Sequence, residues 1–98
     1  MNTANLQLEG VYAALVALTR ALRTKELLTE AEIDQALAEA ENSIASDGSR
    51  PTELHPAHVD AICFPLRFLR LANARADTGE PVSFMKLAAE VGRTKPDH

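Results

Sequence analysis

Leu27-Leu28-Thr29-Glu30-Ala31-Glu32-Ile33-Asp34 is the stretch that decides how this chain folds. Thr29 followed three residues later by Glu32 is a capping-box pattern. The threonine hydroxyl can accept from the Glu32 amide while the Glu32 carboxylate accepts from the Thr29 amide. Leu28 and Ile33 occupy the two positions of a hydrophobic staple across the same turn. A helix therefore begins at Thr29. Its apolar positions Ile33, Leu37, Ala40 and Ile44 recur at helical spacing, and Asp47-Gly48 supplies a stop, giving a helix over about residues 29–46.

Immediately upstream lies another helical pattern, over about residues 5–26. Its centre, Gly10-Val11-Tyr12-Ala13-Ala14-Leu15-Val16-Ala17-Leu18-Thr19, contains ten residues and no charge. Leu8, Val11, Leu15, Leu18 and Leu22 follow alternating three- and four-residue steps, the spacing of a helix–helix seam. Tyr12, Val16 and Thr19 widen that stripe. Gly10, Ala14, Ala17 and Ala21 form a second face of small residues, open to close approach by another backbone. Arg20, Arg23 and Lys25 gather at the carboxyl end, where positive charge suits the helix dipole. So little chain separates the two helices that they form an antiparallel hairpin. Neither Gly nor Pro marks its corner, which leaves Lys25 or Glu26 to adopt the unfavourable backbone angles.

Downstream, a polar connection containing Arg50-Pro51 leads to Pro56, a good first residue for a third helix over about residues 56–77. Val59, Ile62, Cys63, Leu66 and Leu69 make its stripe, flanked by Phe64, Phe68 and Leu71. Pro65 lacks the amide that would bond to Ala61 and crowds the Ala61 carbonyl, so a kink or a break is expected there. Glu80-Pro81 turns the chain once more. Ser83, with Val82 and Leu87 as staple, caps a short helix over about residues 83–91. Phe84, Leu87, Ala88 and Val91 share its apolar face, Gly92 ends it, and residues 93–98 form a loose tail.

These elements make one all-α domain over residues 1–98, a small bundle of three to four helices built on the N-terminal hairpin. At 98 residues such a domain buries roughly two-thirds of its unfolded surface. Tyr12, Phe64, Phe68 and Phe84 are the only aromatic residues, so the core is chiefly aliphatic. The net charge of −4 argues against binding nucleic acid through its phosphates. An uncharged run of ten residues is too short to cross a bilayer, and no basic-then-apolar leader opens the chain. Cys63 is the single cysteine, which precludes an intrachain disulfide. A soluble protein of a reducing cytosol is expected.

Charge is unevenly divided. Glu30, Glu32, Asp34, Glu39, Glu41 and Asp47 cluster without a basic residue, whereas Arg67, Arg70 and Arg75 are the only charges between Asp60 and Asp77. The arginines are candidate contacts for an anion or an acidic partner, but pairing with the acidic helix, in the same chain or across a dimer, is the reading the pattern favours. Glu53, His55, His58, Asp60 and Cys63 fall close together. Zinc wants about four ligands in fixed geometry, and the pattern offers only two neighbouring imidazoles. Cys63 and His58 are five residues apart, so they do not share a helical face, and a buried inert thiol is expected. The chain has no phosphate-cradling glycine loop, nucleophile elbow or cofactor signature. No nucleophile, base or metal stands behind an enzymatic reading.

Two stretches have a familiar look. Leu27 to Asp34 is similar to a hairpin corner found in many bacterial helical proteins, which implies a turn and no particular function. Leu87-Ala88-Ala89-Glu90-Val91-Gly92-Arg93-Thr94 resembles the first helix and turn of a helix-turn-helix DNA-binding motif. That motif then needs a recognition helix, and Lys95-Pro96-Asp97-His98 supplies no pattern for one. An ordinary helix ended by glycine accounts for the same residues.

The functional expectation is a non-catalytic interaction module that assembles as a homodimer through Val11, Ala14, Leu15, Leu18 and Leu22. It needs no cofactor or metal, and engages neither nucleic acid nor membrane. The warrant is surplus apolar surface on the first helix, more than one small core requires. The alternative expectation is a small-ligand-binding regulatory protein with a pocket at the Pro65 break, lined by Tyr12, Phe64 and Phe68.

Overall fold

The computed structural model describes residues 3–47, 56–76 and 84–93. They form four helices: α1 (Thr3–Thr24), α2 (Glu30–Ala45), α3 (Pro56–Arg75) and α4 (Phe84–Arg93). Among the described residues there is no strand. The architecture is the small all-α bundle that the periodicities implied. Gly48, Arg50-Pro51, Glu80-Pro81, Val82, Ser83 and residues 94–98 lie outside the described residues, as does the side chain of Phe84.

The corner between α1 and α2 is built from two caps in succession. Thr29 sits in extended backbone; its hydroxyl accepts from the Glu32 amide at 3.1 Å, and its own amide donates to the Glu32 carboxylate at 2.9 Å. Before it, α1 ends in a Schellman arrangement: the Leu27 amide donates to the Leu22 carbonyl and the Glu26 amide to the Arg23 carbonyl. That motif places Glu26 in left-handed backbone, φ 57°. Of the two residues the sequence left to turn the corner, it is Glu26 that does so.

Packing runs through α3, whose largest interface is with α2; α1 and α4 each pack on α3 as well. The core joins Tyr12 and Val16 of α1 to Phe68, Leu69 and Ala72 of α3 and Leu87 and Val91 of α4. Leu37 of α2 closes its side, with Phe64, Leu71 and Ala88 also against it. The rings of Tyr12 and Phe68 stack 5.0 Å apart at 17°. α2 buries only Ile33 fully.

Pro65 lies inside an unbroken α3. Of the two outcomes allowed by a proline, the break is not the one observed. Cys63, Phe68 and Leu69 are all buried around it, so packing on both sides offsets the missing bond. Ile62, read as part of the α3 stripe, is 40% exposed instead. None of the described helices is long and apolar enough to cross a membrane.

A buried polar tie secures the corner against α3. Asn73, 3% exposed, donates from Nδ2 to the Glu30 carbonyl at 3.0 Å. Arg23 Nη1 donates in turn to the Asn73 carbonyl at 3.0 Å, and Arg23 lies 3.8 Å from Glu30. The end of α1, the start of α2 and the end of α3 are thereby linked through Asn73, by its side chain to α2 and its backbone carbonyl to α1.

Candidate interaction surface

With about 100° of rotation per residue, the faces of α1 can be placed around its axis. Tyr12, Val16, Thr19 and Arg23 share the side turned to α3. Tyr12 and Val16 are buried there, and Thr19 and Arg23 are half-buried. The Thr19 hydroxyl donates to the Val16 carbonyl, which satisfies it locally. Next to this strip, within an arc of about 80°, come Leu8, Val11, Leu15, Leu18 and Leu22.

This leucine seam is the longest apolar pattern in the chain, and most of it is uncovered. Leu8 is 52% exposed, Val11 52%, Leu15 38% and Leu18 60%. Ala14 is exposed beside them and Leu22 is half-buried. Leu27 and Leu28 continue exposed apolar surface at the corner. Of the residues read as widening the stripe, Tyr12 and Val16 enter the core and Thr19 is half-buried beside them. The stripe itself faces outward.

On the other flank of the core-facing strip, Glu9, Tyr12, Ala13, Val16, Ala17, Arg20, Ala21 and Thr24 line a groove floored by Phe68. Its volume is about 670 Å³. Neither Phe64 nor Pro65 is among its described lining residues; this groove lies on the side of α1. Arg20, which sequence position assigned to the helix dipole, turns its Nε into buried surroundings with no hydrogen-bond partner. A Cβ built on Gly10 meets nothing within 4 Å, so no backbone of the described chain uses the small-residue face for close approach.

The three arginines of α3 are engaged within the chain. Arg67 donates to Glu41 at 2.8 Å and lies 3.4 Å from Asp60. Arg70 donates to Asp34 at 2.8 Å and lies 3.5 Å from Glu41. Arg75 donates to Glu90 of α4 at 2.6 Å. Burial alone would lower the Arg67 guanidinium, but the hydrogen bond and charge of Glu41, with Asp60, leave it above its ordinary value. The hydrogen bond to Asp34 outweighs burial in raising Arg70. Two of the α2 carboxylates, Asp34 and Glu41, are thus engaged by α3.

Of the candidate metal ligands, Glu53 and His55 lie outside the described residues. Asp60 is buried against Arg67, and Cys63 is fully buried with Sγ 3.9 Å from the Glu41 carbonyl. His58 is exposed. Among the described residues no three metal-ligating side chains gather. The chain matches no protein-family model, no curated protein and no solved structure.

Proposed function

We propose that this protein is a non-catalytic helical module of the cytoplasm that works as a homodimer. α1 supplies the contact through Val11, Ala14, Leu15, Leu18 and Leu22, with Leu8 extending it. One observation carries the reading: a contiguous leucine seam left in solvent by a fold that has a core of its own. Self-association covers such a patch most simply, because a two-fold interface needs only one surface that complements itself.

The order of residues favours antiparallel pairing of α1 with α1 of the second copy. Leu8, Val11, Leu18 and Leu22 are disposed almost symmetrically about Leu15. Reversing the helix on itself therefore sets Leu8 against Leu22, and Val11 against Leu18. The helix dipoles agree. Antiparallel helices bring unlike ends together and parallel helices bring like ends together.

Single-cysteine variants test both the contact and its direction. Facing positions on helices packed about 8–10 Å apart are within disulfide reach, while the buried Cys63 stays silent. Leu15→Cys is expected to form a disulfide-linked dimer under mild oxidation. Leu8→Cys and Leu22→Cys should not do so alone, but should cross-link when mixed. Cross-linking of all three alone would establish a parallel pair, and absence of any cross-link would remove the seam as the contact.

A further inference from the structure

We infer that the groove on the opposite flank of α1 binds a small amphipathic carboxylate, an apolar body ending in one acid group, held by Arg20. This site is separate from the leucine seam and does not depend on dimerisation.

Size, lining and charge all bear on that assignment. A volume of about 670 Å³ lies within the range of small-molecule sites. Tyr12, Ala13, Val16, Ala17, Ala21 and Phe68 give it apolar walls, and the alanines keep it from being filled by its own side chains. Arg20 is the one cation among its described lining residues. Its buried Nε has lost water and gained no acceptor, so turning the guanidinium toward a carboxylate in the groove would satisfy it. Nε and one terminal nitrogen form the side of a planar guanidinium that matches the two oxygens of a carboxylate. One arginine balances one negative charge, which favours a monocarboxylate over a doubly charged phosphate.

Glu9 gives the groove a direction. It stands about 16 Å from Arg20 along the helix, beyond a Debye length of about 8 Å, so it leaves the arginine's field intact. It does repel an acid group from its own end. The acid therefore lies at Arg20, and the apolar body runs toward Ala13, about 10 Å along the axis.

Decanoate, titrated by calorimetry into the full-length chain below its own aggregation threshold, is the probe. One saturable site per chain is expected, with affinity falling about tenfold or more in Arg20→Gln. Neutral decanamide should bind correspondingly less well than decanoate. Ala17→Leu should weaken decanoate by occupying the wall, and circular dichroism verifies that both variants remain folded. Leu18→Glu, on the other flank, should leave decanoate binding unchanged, which separates this site from the dimer contact. Absence of saturable binding, equal binding of decanamide, or indifference to Arg20→Gln would overturn the assignment. So would a shift of self-association in Arg20→Gln and Glu9→Gln without decanoate binding, because the groove would then hold a second α1.

Discussion

Replacing Leu15 and Leu18 together by glutamate separates the contact from the fold. Leu8, Val11, Leu15 and Leu18 expose, between them, the equivalent of about two full side chains per copy, hence four in a dimer. At about 2 kcal/mol for each fully buried side chain, the hydrophobic gain is about 8 kcal/mol per dimer. That would be a micromolar complex before the cost of association is subtracted, so the wild-type series must extend to about 1 mM. Leu18 alone, 60% exposed, accounts for more than 2 kcal/mol of that gain over two copies, about a fiftyfold change in Kd. The double variant adds uncompensated carboxylates near the two-fold axis and should be monomeric throughout the range. Because Leu18 is mostly in solvent already, replacing it alone should change monomer stability by about 0.5 kcal/mol or less, with a somewhat larger effect from Leu15. Sedimentation equilibrium gives the association constant, and denaturant melts of the monomeric form give the stability. A wild-type chain that stays monomeric at the top of the series would refute the reasoning. So would a double variant that unfolds, since the leucines would then belong to the core of one chain.

Three further outcomes test the fold that presents this surface. Glu26→Gly should be neutral or up to about 1 kcal/mol more stable in denaturant melts, because glycine relieves the left-handed backbone at the cost of a more flexible unfolded chain; a clear loss of stability would refute the Schellman reading. Asn73→Ala deprives the Glu30 carbonyl of its buried Nδ2 donor and Arg23 of the Oδ1 contact, leaving the Arg23 bond to the residue 73 backbone carbonyl, and should cost about 2 kcal/mol, a fall in Tm on the order of 10 °C for a domain of this size. Burial holds the Tyr12 phenol above its ordinary value of 10.0, so above that pH the unfolded chain gives up the proton while the folded chain keeps it. Stability should therefore fall as pH rises past that value and level off above the folded pKa, and Tyr12→Phe should abolish this part of the decline in melts at a series of alkaline pH values.

The parts of this fold that were legible in the sequence are those decided within one turn of helix. Thr29, Glu32 and the staple pair carry their own geometry, and α2 starts where they say. The strain at Glu26 was legible as a necessity, since the corner contains no glycine, though not as a choice between two neighbours. Which stripe of α1 enters the core was not legible. That depends on Tyr12 stacking on Phe68, a contact 56 positions away in sequence, and periodicity alone ranks a run of leucines above a tyrosine and a valine. The charge imbalance between α2 and α3 was plain, but partner identity was not: Arg75 reaches Glu90 of α4. Asn73 gave no signal, as an asparagine late in a helix reads as an ordinary C-terminal residue. Pro65 gave a strong signal, and of the kink or break that it allowed, the break is absent because α3 continues through it.

What the core leaves unexplained is the composition of α1. Anchoring this helix to α3 takes Tyr12 and Val16, with Thr19 and Arg23 at the margin. Leu8, Leu15 and Leu18 could then be lysine or glutamate, whose helix propensities are close to that of leucine, with little loss to a single folded copy. Such residues would also remove a contiguous apolar patch that favours indiscriminate association. The fold of one chain therefore supplies no reason for leucine at these positions, whereas a two-fold contact requires it at all of them. The same logic applies to the other flank in reverse: large residues at Ala13, Ala17 and Ala21 would fill the groove and shelter more apolar surface, and the chain carries alanine at each. One flank of α1 is apolar beyond what its own core uses and the other is hollow around an arginine, the contrast that separates the proposed dimer contact from the proposed ligand site. The helix between them is held in place by the narrow strip that packs on α3.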